Sequence, residues 1–380
     1  GLRMTTTDDR PTKNLNPLAV EFRDGGTITG LLYDPLARFL DGDLVPWLAE
    51  SWRWIDEPVA DAPALEVTLR DGLRWHDGER LTASDVAFSH EFLADTSLGE
   101  MEIPVPAPRY RGLTSLVAEA TARDARTVEL SFVPSDRETA LRALTVPPLP
   151  AHVWRETATP ATVANIGDGS VTEALVWENM APVGSGALEY EASTVNESLV
   201  LSPYDDHFLA DGGLDAALEP FEGGFDFDRL TFRVVPSGEA AVELLLSGGA
   251  DGTATSVMPQ NVPPVGHADD ARLLVERSTA FYHVGFNVRS APLSNTRFRR
   301  AVARLLDKGY LVREVLENYG TPATSPLEPY EAMSPVLTWE GEDAELPFPG
   351  RDGRLDVTRA REPFVEAGYR YREDAGVLVA

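Results

Sequence analysis

The run Trp75-His76-Asp77 sets an imidazole beside a carboxylate, the pairing that acid–base and nucleophilic catalysis use. It lies between Asp71-Gly72 and Asp77-Gly78, two strong turn signals, and therefore reads as part of a structural hairpin. The six histidines are His76, His90, His152, His207, His267 and His283, and none falls at the His-x-x-x-His or His-Glu-x-x-His spacing of a zinc site. Gly184-Ser185-Gly186 is too short for a nucleophile elbow, which needs Gly-x-Ser-x-Gly between strand and helix. Gly167-Asp168-Gly169 lacks the rest of a phosphate-binding loop, and Asp226-Phe227-Asp228 lacks the other ligands of a calcium loop. The absence of cysteine removes disulfides, thiolate metal sites and cysteine nucleophiles. With 61 acids, chance carboxylate pairs are too common to signal acid–base work. No enzyme, metal site or cofactor is expected.

The elements around these residues are mixed α and β. Leu65 to Arg70 alternates apolar and polar as a half-buried strand does, and Leu73 to His76 is expected to return beside it after the Asp71-Gly72 turn. Thr82-Ala83-Ser84-Asp85 has the form of a capping box opening a helix whose apolar sector holds Val86, Phe88, Phe92 and Leu93. Further strands are predicted over Thr127–Phe132, Val195–Leu201 and Leu230–Val235, with a helix over Gly238–Leu246. His283 to Asn287 reads as a short strand. Ser294-Asn295 then caps a helix with Phe298, Val302, Leu305 and Leu306 in one stripe. Asp307 caps another short helix ending at Gly320, and Thr321 to Pro335 reads as a Pro-rich loop.

The charge balance constrains partners more than fold. Lys plus Arg is 33 against 61 Asp plus Glu, a net charge of −28, and only Lys13 and Lys308 are lysines. Such a chain repels nucleic acid and anionic membrane surfaces. The acids are dispersed, as on the solvated surface of a folded protein. An acidic, lysine-poor surface suits concentrated salt, where screening reaches only a few Å, and points to a halophilic source. No apolar run is long enough to span a membrane, and Gly1-Leu2-Arg3-Met4 does not have the form of an export signal.

Several blocks together carry a resemblance. Leu44-Val45-Pro46-Trp47-Leu48-Ala49-Glu50-Ser51-Trp52, Leu69 to Gly78, and Leu81-Thr82-Ala83-Ser84-Asp85-Val86 resemble the signature of bacterial extracellular solute-binding protein family 5. That family supplies the dipeptide-, oligopeptide- and nickel-binding components of ABC importers. Pro182-Val183-Gly184-Ser185-Gly186 is similar to its Pro-Val-Gly-Thr-Gly-Pro-Tyr turn, with Ala187-Leu188 in place of Pro-Tyr. Ala240 to Asp251 is similar to its helix ending in Gly-x-x-Asp. Gly285-Phe286-Asn287 through Arg297-x-Arg299-x-Ala301 to Gly320-Thr321-Pro322-Ala323 is similar to the opening of its third domain. The blocks are collinear over residues 14 to about 370.

The resemblance implies an α/β, periplasmic-binding-protein-like type II fold, two lobes with an extra subdomain. On that pattern 1–42 and 176–282 form a discontinuous first lobe, 43–175 the extra subdomain, and 283–380 the start of a second lobe, incomplete in this chain. It implies capture of a peptide or other small solute outside the cell, without catalysis, and delivery to ABC permease subunits in the membrane. The protein is expected to be monomeric, anchored at the cell surface as a lipoprotein, and without a nucleic-acid partner. A nickel chelate or an oligosaccharide is the alternative ligand within the family; a peptide hydrolase is a more distant one. The ligand contacts it implies are Glu21, Phe22 and Arg23 after Asn16-Pro17, Thr253 and Thr255 after the Gly-x-x-Asp helix, Phe281 and Tyr282 on the hinge side, and Tyr110 from the subdomain.

Overall fold

A computed structural model describes residues 1–20, 26–55, 62–162, 171–210, 214–275, 281–323 and 346–379. They form two compact units, Gly1–Ser256 and Val257–Ala380.

The first unit is built on two sheets. Its main strands are β1 (Leu2–Thr6), β2 (Ala49–Trp54), β3 (Ala64–Leu69), β4 (Val117–Ala122), β5 (Thr127–Phe132), β6 (Leu188–Thr194), β7 (Ser198–Pro203), β8 (Leu230–Val234) and β9 (Gly252–Thr253). One sheet is antiparallel, in the order β2-β3-β5-β4. Its inner face follows from alternation: Leu65, Val67 and Leu69 on β3 and Val128, Leu130 and Phe132 on β5 are buried. On the outer face Glu66 stands opposite Glu129, a like-charge pair that would weaken the ladder. Arg53 binds Glu66 through two bonds of 2.7 and 2.9 Å, and Arg123 binds Glu129 through two of 2.9 and 2.7 Å, which neutralises the clash.

The other sheet runs β6-β7-β8-β1-β9. The β1 strand lies at its heart, parallel to β8 on one side and β9 on the other, so the first residues of the chain pair with residues more than 220 positions later. The sequence reading finds no strand at residues 2–6, because a five-residue stretch with two apolar positions carries too little periodicity on its own. Between β8 and β9 runs a helix, Gly238–Leu246, opened by the Ser237 hydroxyl, which accepts from Ala240 N–H. The residue after its Gly-x-x turn, Asp251, accepts from Arg3 Nε and Nη2 and from the Arg3 backbone N–H. Those bonds push its carboxyl down to about 2. This contact locks β1 to the later strand, and it accounts for the acid at that position.

The capping box forms as read: Thr82 N–H donates to Asp85 Oδ2 at 2.9 Å, and the helix runs Ala83–Ala94 with Val86, Phe88, Phe92 and Leu93 buried. Strands and helix over 127–132, 198–203, 230–234 and 238–246 match the reading within three residues at their ends.

Two expected strands do not form. Residues 73–76 do not pair with β3, because β2 and β5 already occupy both of its edges. The chain instead folds back on itself, with Trp75 N–H on Glu79 O and Leu81 N–H on Leu73 O. Across 283–287 no strand is found among the described residues; alternation marks a segment fit for a strand, but a neighbour must satisfy its backbone groups.

The second unit carries helices Thr296–Ala303 and Val357–Glu366. Asn295 caps the first as expected, and its Phe298 packs against Phe364 and Tyr369. Leu305 and Leu306, assigned to the same stripe, fall past the end of that helix. Asp307 caps the short helix Lys308–Tyr310 and also accepts from Gly353 N–H. Most of the predicted 321–335 loop lies outside the described residues.

Candidate ligand site

In an open sheet with parallel strands, every strand's carboxyl end leaves backbone groups and loops facing one crevice, and ligands bind there. The carboxyl ends of β1, β8 and β9 meet such a crevice. A pocket of about 250 Å³ opens beside them, lined by Thr6 at the end of β1, Thr7 and Asp8 after it, Val234 on β8, and Ala254, Thr255 and Ser256 after β9. Arg10, Pro11, Thr12, Thr27, Ile28, Leu199 and Phe232 complete the wall.

The loops are pinned by their own hydroxyls. Thr7 N–H donates to Thr255 Oγ1 at 2.9 Å, and the two hydroxyls lie 3.3 Å apart. The Thr253 hydroxyl sits 3.2 Å from Thr255 O and accepts from Thr255 N–H. Ala254 N–H continues the β1 ladder onto Thr5 O. Thr6 Oγ1 accepts from Asp8 N–H, and Thr12 Oγ1 accepts from Asn196 N–H. Arg10 grips Asp8 bidentately, Nε on Oδ1 and Nη2 on Oδ2, both at 2.7 Å. Burial pushes the Asp8 carboxyl up, but the bonds from Arg10 outweigh it and hold it below the usual range.

Of the residues singled out from the sequence, Thr255 lines this pocket and Thr253 positions it. Glu21, Phe22 and Arg23 lie outside the described residues. Tyr110 sits half-buried against the core around Leu15, Phe92 and Trp154 and precedes the short helix Arg111–Thr114, away from the pocket lining. Phe281 and Tyr282 belong to the second unit, where Tyr282 is almost fully exposed. The sequence reading missed Thr6, Thr7, Asp8 and Arg10; the Thr-rich end of an unrecognised strand was their only signal.

The Trp75-His76-Asp77 and Gly184-Ser185-Gly186 motifs meet each other. Gly184 N–H donates to His76 Nδ1 at 3.2 Å, His76 Nε2 lies 2.9 Å from Gly186 O, and His76 N–H donates to Gly184 O. Burial depresses the His76 imidazole, consistent with a neutral ring that accepts at Nδ1 and donates at Nε2. The turn also lies against the helix Thr29–Leu32 so closely that a Cβ on Gly184 would stand 1.9 Å from Leu32 O. Ser185 Oγ accepts from Asp34 N–H, and buried Asp34 is bound by His207 Nε2 at 2.7 Å and by Arg38. His207 Nδ1 accepts from Leu209 N–H, so both its nitrogens are committed. These side chains tie four chain segments together and leave no free base beside a nucleophile. In Asp226-Phe227-Asp228 both acids are exposed and Phe227 stacks on Phe225. Gly167-Asp168-Gly169 lies outside the described residues. Among the described residues no cluster of His, Asp and Glu could hold a metal ion.

A discontinuous mixed sheet with a ligand crevice at its parallel carboxyl ends is the layout of a type II periplasmic-binding fold, a class that captures solutes. The chain belongs to the bacterial extracellular solute-binding proteins, family 5, whose middle region matches residues 43–378. It is 23% identical over 338 residues to the oligopeptide-binding protein AppA of Bacillus subtilis, covering 87% of this chain and 52% of that protein. The structure of AppA in complex with a nonapeptide matches with a TM-score of 0.72 at 20% identity, over 100% of this chain and 66% of that one. A mannohexaose-bound periplasmic oligopeptide-binding protein from Thermotoga maritima matches with a TM-score of 0.67 at 26% identity, over 98% and 63%. The chain spans about half the length of the curated relatives it matches. The family is one of extracellular solute-binding proteins. No helix among the described residues is long and apolar enough to cross a membrane.

Proposed function

We propose that this chain is the solute-capture component of an ABC importer, taking a peptide or peptide-like solute outside the cell and delivering it to a membrane permease. The observation that carries this reading is the pocket at the joint carboxyl ends of β1, β8 and β9, in a chain of this family. In the reading, residues 1–42 and 176–282 are one lobe, 43–175 an inserted subdomain and 283–380 part of the opposing lobe. The strand pairing of 2–6 with 230–234 and 252–253, and the separate sheet from residues 49 to 132, support the discontinuous lobe and the inserted subdomain, while the two compact units divide at 256–257, earlier than residue 282. Glu21, Phe22, Arg23, Tyr110, Phe281 and Tyr282 join Thr253 and Thr255 as proposed contacts. The protein acts as a monomer tethered by a lipid anchor, without nucleic acid, and its acidic surface is an adaptation to concentrated salt.

An oligosaccharide is the second reading, favoured by the hydroxyl-rich pocket and by the mannohexaose held by the Thermotoga relative. A thermal-shift screen with peptides, neutral oligosaccharides and nickel chelates separates the ligand classes. A ligand at a hundredfold excess over Kd adds about 2.7 kcal/mol, a readily measured shift. Peptides should shift the melt; a shift by sugars or nickel chelates alone would overturn the peptide assignment.

A further inference from the structure

The pocket's chemistry narrows what it can hold. At about 250 Å³ it falls below the usual volume of a site that encloses a whole small molecule, so it seats one residue or one sugar ring. One wall is apolar: Ile28, Leu199, Phe232 and Val234. The rim is hydroxylic. Thr7 and Thr255 can share only one proton between their hydroxyls, so the second is left to donate outward. Thr6 Oγ1 spends a lone pair on Asp8 N–H and keeps its proton, and the hydroxyls of Thr27 and Ser256 have no partner among the described residues. Among the described residues the charged lining side chains are Asp8 and Arg10, which bind each other bidentately. A charged group entering here would lose water and, among the described residues, meet only charges already engaged with each other, so it must compete with one of them for its partner.

We infer that this pocket is a selectivity site for an uncharged group that has an apolar face and hydrogen-bond acceptors, such as a small neutral amino-acid side chain with its carbonyl, or a sugar ring. The inference rests on the solute-capture reading and adds to it the class of group admitted. Titration calorimetry on the chain would use tripeptides Ala-Xaa-Ala with Xaa Ser, Asn, Leu, Asp or Lys, and cellobiose as the neutral sugar. The Ser, Asn and Leu peptides should bind at least tenfold tighter than the Asp and Lys peptides. Thr255→Val should weaken the neutral ligands about fivefold, and Arg10→Gln, which leaves Asp8 uncompensated, should turn the preference towards Ala-Lys-Ala. If cellobiose binds and no peptide does, the uncharged-group inference stands and the peptide reading falls. If charged peptides bind as tightly as neutral ones, the inference falls and the peptide reading stands. If no probe binds, both fall.

Discussion

His90 gives the most direct quantitative test of the first unit. It lies on the helix Ala83–Ala94, is 6% exposed, and its Nδ1 has no hydrogen-bond partner among the described residues. Burial pushes its imidazole down to about 4. An unfolded chain's histidine titrates near 6.5, so between these values the unfolded state holds a proton that the folded state refuses. Stability is therefore complete above about pH 7, falls as pH drops through 6.5, and stops falling through this group below about 4. The full span corresponds to roughly 3 kcal/mol, and most of it is gone by pH 4.5. Replacing His90 with Leu removes the proton-binding group and the unpaired buried nitrogen while keeping an apolar side chain of similar size. The variant should equal or slightly exceed the wild type at pH 8, and its advantage should grow to about 2–3 kcal/mol at pH 4.5. His76, also depressed by burial, contributes to both proteins and cancels in the difference. The carboxylates held low, Asp8, Asp34 and Asp95, act mainly below this window. Denaturant titration followed by tryptophan fluorescence suits the measurement, because Trp47, Trp52, Trp54, Trp75, Trp154 and Trp177 all lie in the same unit as His90. Parallel stability curves for the two proteins between pH 7.5 and 4.5 would refute the reasoning.

Three further outcomes follow from the packing. A Cβ on Gly186 would stand 2.1 Å from Leu31 O, so Gly186→Ala should lose at least about 2 kcal/mol in denaturant titration. Gly30→Ala, with nothing within 4 Å, should be neutral or slightly stabilising; equal effects at both sites would refute the close approach. Asp34→Ala strips the buried partner from His207 and Arg38 and should cost about 3–5 kcal/mol near neutral pH. Burial pushes the Asp34 carboxyl up, but His207 and Arg38 bring it below its usual value, so in the wild type this contribution is lost as pH falls below about 4. A loss under 1 kcal/mol would show that the pair does not hold the segments together. The net charge of −28 predicts a melting temperature that climbs between 0.1 and 2 M NaCl, as screening shortens from about 10 Å to under 3 Å; a flat profile would sink the salt-adaptation reading.

Local signals settled what neighbouring residues can decide among themselves. Alternation over residues 65–69 and 127–132, the Thr82–Asp85 capping box, the Asn295 and Asp307 caps and the helix 238–246 all rest on contacts within a few positions. The collinear motifs also identified the family, and the structural reading of Trp75-His76-Asp77 agrees with the bonds that His76 makes to Gly184 and Gly186. Only the tertiary structure decided where β1 goes, because its partners are Leu230–Val234 and Gly252–Thr253 and no local pattern encodes a pairing at that distance. For the same reason the pocket stayed hidden: Thr6, Thr7, Asp8 and Arg10 become a site only when the ends of β1 and β9 are brought side by side. The converse holds at residues 73–76, where a strand-like sequence beside a good turn forms no strand against β3. Both edges of that strand were already taken, and competition for an edge is a property of the whole sheet.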